Sequence, residues 1–373
     1  MIDLPSQARV GPAAPAAPPA GADAAGPADP VDPVALIAGR VEHRIRTLLA
    51  GRRAAWAAEQ PVLAEMFDAL DDFVAAGGKR LRPAFCYWGA VASGASGDEP
   101  GLVDACAALE LLHAFALLHD DVMDGSATRR GRPAVHERFA GRHAAAGWAG
   151  ESRRHGEGLA VLVGDLAFAL ADGLLDHLPP VARGVWHDLR VELVAGQWVD
   201  LVAAASTDRS PAVARWVARY KSGRYTVERP LQLGAAVAGD DRTRAVWSAF
   251  GEPLGRAFQL RDDVLGVFGD PGETGKPAGD DLREGKPTLL LAMAAAHATD
   301  GERRLLARVG APDLGDDEVA EIRAAIGRCG ALALVESEIE RLVARSERAL
   351  DAVDPVTARQ LHALAERATV RTR

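Results

Sequence analysis

Two clusters of aspartate interrupt an otherwise apolar, alanine-rich sequence. The first, Asp120-Asp121-Val122-Met123-Asp124, ends the run Leu109-Glu110-Leu111-Leu112-His113-Ala114-Phe115-Ala116-Leu117-Leu118-His119. On a helix Asp120 and Asp124 are one turn apart and project from the same face. Carboxylates at that separation can share hard divalent cations, and Mg²⁺ favours one or two carboxylates plus phosphate oxygens and retained water. Asp-Asp pairs also begin at Asp71, Asp240, Asp280 and Asp316, and a lone pair of this kind usually marks a solvated surface. What separates Asp120 is its place at the end of an apolar helix, where a carboxylate buried without a partner costs several kcal/mol.

The second cluster lies in Gln259-Leu260-Arg261-Asp262-Asp263-Val264-Leu265-Gly266, after Leu254-Gly255-Arg256-Ala257-Phe258. Gln259, Asp262, Asp263 and Gly266 fall on one helical face. Two helices that each bring an Asp-Asp cluster out of an apolar stretch suggest a clamp for metal ions and a diphosphate. The cations to meet that diphosphate are close in sequence. Gly77-Gly78-Lys79-Arg80-Leu81-Arg82-Pro83 precedes a helix whose Pro83 suits its first turn. Arg129-Arg130-Gly131 follows the first cluster, Lys221-Ser222-Gly223 lies further on, and Gly275-Lys276-Pro277 and Gly285-Lys286 follow the second. Basic clusters generally solubilise a surface, and here it is their adjacency to both acidic sites that discriminates. The segment Gly269–Lys276 is not a nucleotide-binding loop, because its spacing is one residue too long and Pro277 replaces the required Ser or Thr.

The elements that must position these residues are helices. From Pro33 onward Ala/Leu/Val stretches recur with Arg and Glu on the opposite phase, a 3.6-residue rather than an alternating period. The pattern predicts helices over 34–50, 62–76, 82–93, 101–125, 157–177, 181–204, 211–227, 242–269, 288–298, 316–330, 331–352 and 356–367, punctuated by Gly/Pro clusters. Residues 1–33 are Ala, Pro and Gly with scattered Asp, too little apolar surface to offset ordering entropy, and are read as a disordered tail before one domain over 34–373. The formal net charge of -9 over 373 residues argues against a nucleic-acid binder, which needs a basic footprint. Cys86, Cys106 and Cys329 form no CxxC pair and read as free thiols of a reducing cytoplasm. No signal peptide opens the chain, and the apolar runs read as too short for a transmembrane segment.

Taken in order, these motifs resemble the polyprenyl synthetase family, the trans-isoprenyl diphosphate synthases. The resemblance runs from about residue 35 to near the end. It rests on Gly77-Gly78-Lys79-Arg80-Leu81-Arg82-Pro83, Asp120–Asp124, Arg129-Arg130-Gly131, Val163-Gly164-Asp165, Lys221, Ala257-Phe258-Gln259 with Asp262-Asp263, and Gly285-Lys286-Pro287-Thr288. It implies an all-α helical bundle of the isoprenoid synthase type around a central active-site cavity, and a homodimer. It implies head-to-tail condensation of isopentenyl diphosphate with an allylic diphosphate, assisted by Mg²⁺. Asp120 and Asp124 would hold two Mg²⁺ ions and Asp262 a third, with Asp121 and Asp263 in support. Arg129, Lys221 and Lys276 would complete the allylic diphosphate site, while Lys79, Arg82, His113 and Arg130 would bind the diphosphate of isopentenyl diphosphate. Gln259 and the Lys221 region would face the developing allylic cation.

Two positions depart from the family pattern. The second acidic motif commonly has a third Asp where this chain has Gly266, and the residue after Lys221, usually Thr, is Ser222. In the family the growing chain runs down the helix that carries the first motif, and Ala116, Phe115, Leu112 and Leu109 precede Asp120 there. Phe115 would lie roughly 7–8 Å below the metals at about 1.5 Å per residue, a bulky floor that resembles a geranylgeranyl (C20) synthase, with farnesyl (C15) as the alternative. Such a stripe also suits plain core packing. A class I terpene cyclase shares the fold, but its second motif begins with Asn and this chain has none. A non-catalytic partner subunit is the other alternative, motivated by Gly266 and opposed by the retention of both Asp-Asp pairs.

Overall fold

The computed structural model describes residues 32–99, 101–206, 210–240, 242–270 and 278–370. The helices in chain order are α1 (Ala35–Glu59), α2 (Ala64–Ala75), α3 (Leu81–Ala92), α4 (Leu102–Asp124), α5 (Val135–Ala145), α6 (Ser152–Gly173), α7 (Pro180–Ser206) and α8 (Pro211–Val217). A π-helical stretch (Ala218–Glu228) leads without a break into α9 (Arg229–Val237). Then come α10 (Arg244–Phe268), α11 (Asp280–Glu284), α12 (Leu289–His297), α13 (Asp300–Leu306), α14 (Asp316–Arg328), α15 (Ala331–Glu347) and α16 (Pro355–Thr369). Among the described residues the strand content is one two-residue ladder, Thr128–Arg129 against Arg132–Pro133. The fold is all-α.

Helix α4 is the spine. Ala105, Cys106, Ala107, Ala108, Leu109, Leu111 and Leu112 have no exposed surface, the pattern of a helix surrounded by others rather than one with a single apolar stripe. It packs on α6, α3 and α1. By length and composition α4 is the one described helix apolar enough to cross a membrane, which the sequence reading did not anticipate. Its apolar surface is instead covered by neighbouring helices, and its last turn carries the carboxylates. Gly125 ends it in the left-handed region (φ +65°), its N–H donating to the Asp121 carbonyl. Beneath the N-terminus of α3 a buried pair, Arg80 and Glu110 at 2.5 Å, ties the basic loop to α4.

The other acidic helix, α10, packs on the π-helical stretch and on α15. Its inner face (Leu260, Val264, Val267) joins Leu289–Leu291, Ile322, Ile326, Val335, Ile339 and Leu342 in a second core. Each such Leu or Ile contributes about 1.5–3 kcal/mol when fully buried.

Several elements differ from the expected ones. Helix α1 runs on to Glu59, past Gly51. Helix α5 was not expected, because its apolar stripe is thin and it lies between Gly131-Arg132-Pro133 and Gly147. The short helices α11 and α13 were likewise not anticipated. The helix expected to stop at Val227 continues to Val237 through Pro230. A proline breaks a helix by lacking an N–H, and here it falls where the ladder changes from i→i+5 to i→i+4 bonding. Of the expected tail, residues 1–31 lie outside the described residues. Pro33 accepts a 2.9 Å hydrogen bond from Trp88 Nε1, so it belongs to the packed unit.

Candidate active site

The two acidic helices meet across a cavity of about 760 Å³. Lys79, Arg82, His113, Ala116, Asp120, Arg129, Gln197, Asp200, Lys221, Tyr225, Gln259, Asp262, Asp263, Asp281 and Lys286 all contribute to its wall. They come from the α2–α3 loop and α3, the ends of α4 and α10, the middle of α7, the π-helical stretch, and the segment from α11 onward. Residues some 200 positions apart thus share one wall only because the helices pack laterally.

On the first side, Lys221 Nζ lies 2.5 Å from Asp200 and 3.1 Å from Asp120. Gln197 Nε2 donates to the same Asp120 oxygen at 3.1 Å. The π-helical backbone can come this close to α7 because residue 196 is glycine: a Cβ there would stand 2.6 Å from Lys221 Cα. Asp121 turns away from the cavity, nine-tenths and more buried, and binds the Arg129 guanidinium, which is thereby aimed along the wall 3.8 Å from Asp120. Lys286 Nζ spans Glu284 at 2.5 Å, Asp124 at 3.4 Å and Asp281 at 3.5 Å.

These charges set the protonation of the pair on α4. Burial pushes the Asp120 carboxyl up, but Lys221, Lys286 and Arg129 together hold it down at about 2. Burial and the repulsion of Asp120 push Asp124 up to about 6. Asp120 and Asp200 raise the Lys221 ammonium against the opposing pull of burial, so it stays charged. Across the cavity, burial carries Asp263 up to about 8 even though Gln259 donates to it at 2.7 Å. Deeper in, His113 Nδ1 and the Tyr225 hydroxyl are 2.6 Å apart. Arg82 lies over the Tyr225 ring at 4.2 Å and donates to Thr226 Oγ1 at 2.9 Å. Burial, then Arg82 and Arg130, hold the His113 imidazole well below its ordinary value, so it is neutral.

The donor set fits Mg²⁺ that completes its shell from a substrate. Asp124 Oδ2 is sealed from solvent and accepts no hydrogen bond among the described residues. Burial first, then the neighbouring Asp120, raise Asp124, and a cation brought beside the pair would relieve both. Among the described residues no three carboxylate, imidazole or thiol groups converge on one point. A protein-only cage is therefore not built here, while one or two carboxylates plus phosphate oxygens suit this ion.

Residues 63–326 match the family model described as polyprenyl synthetase. The chain belongs to the polyprenyl synthetase family. It is 32% identical over 295 residues to a geranylfarnesyl diphosphate synthase of Aeropyrum pernix, covering 76% of this chain and 86% of the relative. It is 37% identical over 241 residues to a geranylgeranyl diphosphate synthase of Mycobacterium tuberculosis, 63% of each. Among solved structures, a geranylgeranyl pyrophosphate synthase of Corynebacterium glutamicum, in complex with isoprenyl diphosphate and magnesium, superposes with a TM-score of 0.86 at 35% identity over 91% of this chain and 99% of that one. The chain is accordingly a prenyl diphosphate synthase, a trans-prenyltransferase.

Most of the residues named from the sequence stand around the synthetase's cavity. Lys79, Arg82, His113, Ala116, Asp120, Arg129, Lys221, Gln259, Asp262 and Asp263 line it, and Asp124 meets it through Lys286. Four do otherwise. Lys276 lies outside the described residues. Arg130, left-handed at φ +54°, faces a second cavity of about 200 Å³ beside Phe73 and Arg138. Leu112 is sealed in the core. Phe115 is absent from the lining and packs against His119 and Phe168, with ring centroids 4.5 and 4.8 Å away. The reason is angular: at about 100° per residue, Ala116 is turned some 40° from Asp120 and Phe115 some 140°. Sequence reasoning missed Gln197, Asp200 and Tyr225. Gln197 and Asp200, three apart on apolar α7, were the detectable signal.

Proposed function

We propose that this synthetase makes geranylgeranyl diphosphate (C20) from isopentenyl diphosphate and allylic diphosphates in the cytoplasm, as a homodimer. The observation that carries the reaction assignment is the Lys221 ammonium held between Asp120 and Asp200, with Arg129 beside it and Asp262 and Asp263 on the facing helix. An allylic diphosphate fits between the two acidic helices. Lys221, Arg129 and Lys286 take up charge as the C–O bond breaks and its electron pair leaves with the diphosphate, stabilising the separated charges more than the bound substrate. Lys79 and Arg82 hold isopentenyl diphosphate, whose terminal carbon forms the new C–C bond before a proton is lost from its C2. Gln259 stays with Asp263 and keeps that carboxyl in place. Mg²⁺, three ions in this reading, supplies Lewis-acid neutralisation of the leaving diphosphate when bound at Asp120, Asp124 and Asp262.

For chain length, small Ala116 leaves the wall of α4 open, and Phe115 stacked on Phe168 stands behind it as the barrier an elongating chain meets. A 35%-identical farnesyl diphosphate synthase of Mycobacterium bovis keeps C15 as the second reading. For assembly, Val191, Val194, Trp198 and Val202 form an exposed apolar stripe on α7, a face suited to a second copy. The free thiols Cys86, Cys106 and Cys329 suit a reducing compartment. The test is a product assay with Mg²⁺, isopentenyl diphosphate and dimethylallyl, geranyl or farnesyl diphosphate. A C20 product supports the reading, and a C15 end point or one beyond C20 discards the chain length. Phe115→Ala should lengthen the products, and unchanged length would remove Phe115 as the barrier.

A further inference from the structure

The π-helical stretch that delivers Lys221 runs over eleven residues, Ala218–Glu228, where i→i+5 bonding is mostly confined to a single turn. Its own ladder does not account for that length, and two helices grip it. On α10, a Cβ at Gly251 would stand 2.6 Å from Glu228 Cα, and one at Gly255 2.7 Å from Gly223 Cα. On α7, Glu192, Gly196 and Asp200 follow one another four residues apart along one face. Asp200 takes the Lys221 ammonium at 2.5 Å, and Gly196 admits the Lys221 backbone. Glu192, at the far end of this track, is absent from the cavity lining. Its Oε1 accepts from Arg224 Nη1 at 2.7 Å and from Arg229 Nη2 at 2.5 Å, and its Oε2 from Arg229 Nε at 2.9 Å. Arg224 lies inside the π-helical stretch and Arg229 begins α9, so one carboxylate joins the two sides of the register change. Arg224 Nε also donates to Glu228 at 2.9 Å, which in turn accepts from Ser248 Oγ of α10 at 2.7 Å. Glu228 and Arg229 are each 3% exposed.

We propose that Glu192 is a positioning residue for the condensation: by joining Arg224 to Arg229 it fixes the rotation of the π-helical stretch and so holds the Lys221 ammonium on Asp120 and Asp200. The proposal rests on the reading of Lys221 as a cation of the diphosphate site. Arg224 is three residues from Lys221 in the same ladder, so any rotation that Glu192 resists is also a rotation of Lys221. A tie that served stability alone would lower the thermal midpoint and leave the place of Lys221 unchanged.

The experiment pairs a double-mutant cycle on kcat with a spectroscopic readout of Lys221. Near-isosteric Glu192→Gln should lower kcat on the order of 10²-fold, as a displacement of about 1 Å at a reacting site does. Lys221→Ala should lower it about 10³-fold. With Lys221 already removed, Glu192→Gln should cost less than about threefold more, because the two act as a unit. Lys79, Lys221, Lys276 and Lys286 are the lysines of the chain, so protein labelled with ¹⁵N at lysine Nζ gives few resonances, and Lys221→Ala and Lys79→Ala identify two of them. The Lys221 resonance should move in Glu192→Gln while that of Lys79 stays. If Glu192→Gln does not fold, Arg224→Gln carries the same comparison at a partly exposed arginine, with a loss of about tenfold. An unmoved Lys221 resonance, or losses that multiply in the Lys221→Ala background, would overturn the proposal. A Lys221→Ala protein within about twofold of the parent kcat would instead sink the reading of Lys221, and this inference with it.

Discussion

The two acidic helices solve the same problem differently. At the end of α4, three cations bear on one carboxylate: Lys221, Lys286 and Arg129 hold Asp120 ionised at about 2 against its burial. At the end of α10, burial above all, with repulsion from Asp281, Asp262 and Asp200, carries Asp263 to about 8 against the hydrogen bond from Gln259. Asp120 is compensated by the protein. The second site holds its charge in reserve for a cation that comes with the substrate. Identical dipeptides therefore do different work, and their surroundings, more than their spacing, decide it.

That contrast can be broken most directly at the aspartates themselves. Asp120→Asn removes the carboxylate on which Lys221 and Gln197 converge, and kcat should fall about 10³-fold; Asp262→Asn, on the facing helix, should fall nearer 10²-fold. Steady-state kinetics at saturating Mg²⁺ would check both, and equal losses would erase the distinction. Next in size is the response to ligands. Because the described residues build no protein-only cage, Mg²⁺ alone should move the thermal midpoint little. Mg²⁺ with inorganic diphosphate should raise it by several degrees, an increase of about 2.7 kcal/mol at a hundredfold excess over Kd. A full shift with Mg²⁺ alone would contradict the donor count.

The smallest effect concerns His113. Its folded value is held well below the ordinary 6.5, so between those two values the unfolded chain binds more protons than the folded one. Stability therefore rises with pH through that window, is complete above about 6.5, and is lost on acidification, at no more than about 1.4 kcal/mol per pH unit. His113→Gln should flatten that slope in urea unfolding between pH 5 and 7. An unchanged slope would place the imidazole outside the reach of Arg82 and Arg130.

Much of this was legible in the sequence, for identifiable reasons. The long apolar helices α4, α7 and α10 carry their period openly, and both Asp-Asp pairs sit at points where an apolar run stops. The π-helical continuation through Pro230 was not legible, because single-residue signals read a proline as a stop and cannot see a ladder changing register. Asp200 left only the faint signal of its spacing from Gln197, because the partner that gives it a role, Lys221, reaches it only through the close approach at Gly196. Depth along the axis was legible for Phe115, but the rotation that takes its ring off the lining and onto Phe168 was not counted. The left-handed backbone of Arg130, which brings it to the cavity beside Phe73, is likewise not announced by residue spacing. Asp281 belongs to the pair that begins at Asp280, set among the pairs that usually mark a solvated surface, yet it lines the cavity.

The π-helical stretch has a consequence for how this chain can change. Lys221, Ser222 and Tyr225 all enter the cavity from those eleven residues, Ala218–Glu228. An insertion or deletion of one residue would rotate everything beyond it by about 100° and slide it about 1.5 Å. The cation that serves Asp120 and the phenol that serves His113 could not both survive such a step. Loops elsewhere in this chain can drift in length over evolutionary time, but this segment can accept substitutions only, and a natural variant differing there in length should have lost the chemistry.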